Sequence, residues 1–127
     1  VYNYKNLIPT VGWTMLANNL TDISPDNTPR INYVVLGIGV NAPANGDTTL
    51  QTEVYRNVVA SQTNANNVAY VTGFFNATED DDAYKEVGLF ADAIDAADNG
   101  ILFSRVAIDI TKSNTETLTI DFTLTIN

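Results

Sequence analysis

From Thr117 to Ile126 the chain alternates without interruption, with Leu118, Ile120, Phe122, Leu124 and Ile126 set against Thr117, Thr119, Asp121, Thr123 and Thr125. A period of two places the five apolar side chains on one face of a strand and the polar set on the other. Threonine is β-branched and tolerates a half-exposed pleated face, so this segment predicts a long strand with one face buried. Such a face has to be covered by another layer.

Upstream, Ile101 to Ile110 is a second apolar, β-rich run whose polar members are Ser104, Arg105 and Asp109. Lys112, Ser113 and Asn114 supply a turn that brings it back onto the last strand, so a terminal hairpin is expected. Further strands are expected at Ile31 to Val40, Val54 to Ser61, Val68 to Phe75 and Tyr84 to Phe90, each bounded by Asn, Asp, Gly or Pro. Six strands at short spacing, with almost no helical periodicity between them, predict a mostly β protein, an antiparallel β-sandwich with one short N-terminal α-helix. Gly37, Gly39, Gly73 and Gly88 fall inside the strand runs, where a missing side chain marks a bulge or a close backbone approach.

The helix is expected to start at Pro9 and Thr10, to carry Val11, Met15, Leu16 and Leu20 at helical spacing, and to stop at Pro25. It is either a lid over one end of the sandwich or an exposed helix for a partner. Asn41 to Thr52 is too long for a tight hairpin and too polar for a core, so it is a surface loop with Leu50 as its anchor. The 127 residues suit one domain, with residues 1–25 as arm and helix and 31–126 as sandwich core. Trp13, the single tryptophan, with Met15 and Leu50, are the interface candidates.

The chain contains neither Cys nor His, against 15 acidic and 6 basic residues and a net charge of -9. These zeros exclude disulfides, thiolate nucleophiles, Cys- or His-ligated metals and any Ser-His-Asp triad. The six cations are scattered from Lys5 to Lys112, which argues against nucleic acid and anionic membranes as partners. No apolar run approaches the roughly 20 residues of a membrane span, and no basic segment followed by an apolar stretch opens the chain. Such a chain reads as a mature soluble protein, and Val1 at its start fits either a removed initiator Met or a trimmed fragment.

Two acidic segments are the candidates for chemistry. Glu79, Asp80, Asp81 and Asp82 gather four carboxylates in one loop, and Asp80, Asp81 and Asp82 are the candidates for a hard cation such as Ca²⁺. Adjacent carboxylates in a strand-connecting loop cannot all point inward, and EF-hand spacing is absent, so a solvated acidic turn is the favoured reading. Asp92, Asp95 and Asp98 would align only on a helix, where their charges repel, so an exposed loop is expected there. A glycosidase pair would need a cleft for which so short a domain has little material. Gly37-Ile38-Gly39 lacks the third glycine and following helix of a dinucleotide fingerprint. The sequons at Asn19 and Asn76 are what chance gives in a chain rich in Asn and Thr. Most aromatics lie in expected strands and read as core. No catalytic set and no cofactor site emerges.

Leu36, Gly37 and Gly39, then Pro43, Thr48 and Thr49, then Leu50, Glu53, Tyr55 and Arg56 resemble the opening of a module of tailed-bacteriophage virion proteins, especially tail-fibre and tail-collar proteins. Lys85-Glu86-Val87-Gly88-Leu89-Phe90 resembles the module's next strand, and Ser104-Arg105 with the Thr117 to Ile126 strand its ending, so that the likeness spans roughly residues 31 to 126. The resemblance implies a non-enzymatic structural virion protein, a tail or neck fibre or collar adaptor docking on other virion subunits, with trimers or rings as its default assembly. Arg56 and Glu86 are expected on adjacent strands as a partly buried ion pair. One alternative is a capsid decoration, or cement, protein. A stalk sequence beyond Asn127 would favour the fibre and a stop codon there cement or collar. A carbohydrate-binding receptor module is the other alternative.

Overall fold

The computed structural model describes residues 2–22 and 27–127. Within them the order is α1 (Thr10–Thr21), β1 (Ile31–Gly37), β2 (Glu53–Val58), β3 (Ser61–Ala65), β4 (Val68–Phe75), β5 (Ala83–Ala91), β6 (Ile101–Thr111) and β7 (Leu118–Thr125). The strands form a four-stranded sheet in the order β2-β1-β5-β6 and a three-stranded sheet in the order β3-β4-β7, every ladder antiparallel. The protein is therefore mostly β, a β-sandwich with one short helix, as the alternating strands and polar turns predict.

The main core lies between the sheets. Val34, Leu36, Val87, Leu89 and Val106 from the larger sheet meet Val71, Phe75, Phe122 and Leu124 from the smaller one. Gly73 permits this approach, since a Cβ there would lie 2.7 Å from Val34 Cγ1. A bulge between Tyr84 and Glu86 changes the facing of β5, so Tyr84 joins Val87 and Leu89 in the core while Glu86 points to the opposite side. On that opposite side Val35, Phe90 and Leu102 form a second core with Leu50 and Ala93 from two loops. The larger sheet is thus buried on both faces. α1 packs on β6, with Gly12 fitted against Phe103. The start of α1 is tied to the loop after β1, because the Thr10 N–H donates to the Asn45 carbonyl at 2.8 Å.

Several expectations require correction. β6 and β7 form no hairpin: β6 pairs with β5 and β7 with β4, so the turn at 112–117 crosses from one sheet to the other. The expected run from Val54 to Ser61 is two strands in different sheets. The Val59 N–H still bonds Asn32 in the larger sheet, and the Ala60 N–H already bonds Thr72 in the smaller. β3 (SQTNA) is exposed along its whole length and offers no apolar signal. β1 ends at Gly37, short of Val40. The expected helix stop at Pro25 lies outside the described residues.

Candidate functional site

Three long polar loops surround the larger sheet, and each is held by one buried cation. The first connects β1 to β2 and is organised by Glu86, only 1% exposed on β5. Its carboxylate accepts the main-chain N–H groups of Gly39, Gln51 and Thr52 at 2.7, 2.8 and 2.8 Å. Arg105 on β6 donates to the same carboxylate at 3.0 Å. The guanidinium also reaches Asp47 at 2.7 Å and the Asn41 carbonyl at 2.9 Å. Charge-assisted bonds of this kind, taken out of water, are the strong ones. Gly39 is glycine because a Cβ there would strike Glu86 and Gln51. Leu50, 2% exposed, closes the loop over Gly88.

The second loop runs from β5 to β6 and is organised by Arg56. Its fork donates to both Glu53 oxygens at 2.7 Å, while Nη1 donates to the carbonyls of Ile94 and Asn99 at 2.9 and 3.1 Å. The guanidinium lies 5.4 Å from the Tyr33 ring centre and 5.1 Å from that of Phe90, within cation–π range. Asp98 donates its N–H to Glu53 at 3.0 Å, and the Asn32 side chain exchanges hydrogen bonds with both main-chain groups of Ala93. These ties hold a backbone that takes positive φ at Asp92, Asp98 and Gly100, conformations that cost non-glycine residues energy.

The third loop, between β4 and β5, carries the acidic run. Lys112, directly after β6, is 3% exposed. Its ammonium donates to the carbonyls of Ala77, Glu79 and Asp80 at 3.3, 2.6 and 3.2 Å and to the Asp81 carboxylate at 3.0 Å. Asp80 accepts the Tyr84 hydroxyl at 3.0 Å, and Asp82 accepts the Ala83 N–H at 2.7 Å. The three aspartates thus face different partners, and of their carboxylates only that of Asp81, with three loop carbonyls, is directed at this chain's own ammonium. Among the described residues no three acidic side chains converge on one point. Burial, and then the hydrogen bond and charge of Asp80, push the Tyr84 phenol well above its ordinary value of 10.0.

The remaining candidates divide. Arg56 and Glu86 are both buried, yet they do not pair: β1 stands between β2 and β5, and each takes another partner, Glu53 and Arg105 respectively. Met15 is 3% exposed in the main core and Leu50 is in the second core, so neither is available to a partner, whereas Trp13 is 48% exposed. Asp92, Asp95 and Asp98 lie in a loop, as expected from their repulsion. Sequence reasoning missed Arg105 and Lys112 as organising residues. Their only signal was a cation inside or ending an apolar strand. A hollow of about 340 Å³ at Arg30, Asn32, Gln62 and Asp92 has the Asp and Asn of a sugar subsite but no aromatic ring in its lining. Compared with family models, curated proteins and solved structures, the chain matches none of them.

Proposed function

We propose that the chain is a non-enzymatic structural protein of a tailed-phage particle, a tail or neck fibre or collar adaptor that docks on other virion subunits. One observation carries this reading. The residues that bear the likeness to the phage module are those that fix the loops: Gly39 and Arg105 meet at Glu86, Leu50 sits on Gly88, and Arg56 grips Glu53. The buried charged groups are spent on main-chain and ion-pair partners, and the result is a rigid scaffold presenting preformed acidic loops. Preformed surfaces lose less entropy on docking than mobile ones. Three of the six cations face inward, so the solvent-facing surface is dominated by carboxylates, a polarity suited to protein partners with basic patches rather than to phosphate backbones. Trp13 on the exposed side of α1 supplies an aromatic anchor of the type enriched at interfaces.

The test is composition of the particle. Virions of the phage that encodes the chain, purified through a density gradient, are expected to contain it in constant ratio to the tail subunits by quantitative mass spectrometry. Recovery of the chain only in the soluble lysate would overturn the proposal.

A further inference from the structure

We infer that the free edge of β7 receives the N-terminal arm of a second copy of this chain; the inference deepens the assembly reading above and rests on it. A sandwich of two open sheets has four edges, and unguarded edges invite pairing with another chain. Three are blunted here. The β6 edge is bridged by Leu7, which exchanges main-chain hydrogen bonds with Arg105 at 3.2 and 2.9 Å. The β2 edge carries the Glu53–Arg56 pair and the loop it holds. β3 is five residues of exposed, mainly polar sequence. β7 has eight residues, no Lys, no Pro and an unbroken ladder to β4. Beside it lies a groove of about 680 Å³, lined also by the chain's own Tyr2, Asn3, Tyr4 and Asn6, where Leu118, Ile120 and Phe122 of β7 face Val106 and Ile108 of β6.

The arm fits this edge by its own pattern. Tyr2 and Tyr4 alternate with Asn3 and Lys5, a strand period, yet among the described residues the arm forms no ladder beyond the Leu7 bridge and is otherwise held to its own β6 by side chains, the Tyr4 hydroxyl at the main chain of Asp109 and Asn6 at the Ser104 hydroxyl. Tyr2 remains 76% exposed at the mouth of its own groove. Laid antiparallel along β7, the arm turns both tyrosines toward Leu118, Ile120 and Phe122, and turns Asn3 and Lys5 toward Thr119, Asp121 and Thr123. The charges agree. Among the described residues Lys5 has no ion-pair partner, and Asp121 holds only the Thr72 hydroxyl. Released from Asp109 and Ser104, five extended residues pivoting at Leu7 reach about 17 Å. Among the described residues the chain's own arm is bridged to β6 and pairs with no strand of the smaller sheet, so the arm of a copy is the occupant to which the side-chain alternation and the charge pair point.

Because the chain has no cysteine, introduced thiols report contacts without background. The test mixes a tagged Asn3→Cys chain with an untagged Thr123→Cys chain under oxidising conditions, with Thr63→Cys on β3 as the control partner. A disulfide between tagged and untagged chains is expected for Thr123→Cys and none for Thr63→Cys. In sedimentation the parent is expected to self-associate, Lys5→Glu to lose that association, and Lys5→Glu with Asp121→Lys to regain it. A parent that stays monomeric at every concentration, equal linking of the control, or association unaffected by Lys5→Glu overturns the inference. A monomer that still co-purifies with particles removes the arm exchange and leaves the virion reading standing. A chain that associates through its arm but is absent from particles does the reverse.

Discussion

Glu86 shows how one side chain can set the conformation of a loop of more than ten residues. With three main-chain N–H groups and Arg105 directed at its two oxygens, replacement by glutamine keeps the shape but puts a donor where an acceptor is required and removes the charge opposite Arg105. Breaking a buried pair from one side costs about 3–5 kcal/mol. Glu86→Gln is therefore expected to lower the urea midpoint by a corresponding amount, and a loss under about 1 kcal/mol would show the network to be dispensable. Tyr84 makes a pH prediction. Its phenol is held above 10.0 by burial and by Asp80, so the folded state keeps a proton that the unfolded chain releases, and stability falls as pH rises past about 10. Tyr84→Phe should cost about 1 kcal/mol at neutral pH and flatten that alkaline fall in thermal melts across the range.

At the level of elements, the strands whose patterns are strong were legible and those whose partners lie far away were not. β7 and β6 are visible from alternation and apolar runs, and α1 from Pro9, Thr10 and the spacing of Val11 and Met15. β3 was invisible because an edge strand exposed along its whole length needs no apolar residue. A short turn after β6 serves a hairpin and a crossing between sheets equally well, so local sequence did not specify which. The same limit explains the ion pairs. Arg56 and Glu86 were expected as a partly buried pair on adjacent strands; both are buried, but β1 between them is a fact of topology. The loop that Arg56 holds offers its own test. Lysine lacks the planar fork that grips Glu53 while bonding Ile94 and Asn99, so Arg56→Lys should cost about 2–3 kcal/mol and open residues 92–100 to limited proteolysis. An unchanged digestion pattern would mean that other ties suffice to hold the loop.

Across the whole molecule, the -9 charge and the missing Cys and His acquire a structural sense. Arg56, Arg105 and Lys112 are drawn inward to fix loops, leaving an anionic exterior on a scaffold buried on both faces of its larger sheet. Substitution of Trp13 tests the proposed docking separately from folding. With nearly half of it exposed, Trp13→Ala should move the melting temperature little, within about 0.5 kcal/mol of stability, while reducing incorporation into particles; a large loss of stability would return Trp13 to the core. The most direct measurement of the central claim is position on the intact virion. Gold-labelled antibody against the chain, viewed by electron microscopy, is expected at the tail or neck; label spread over the head lattice, or none on any particle, would contradict the account.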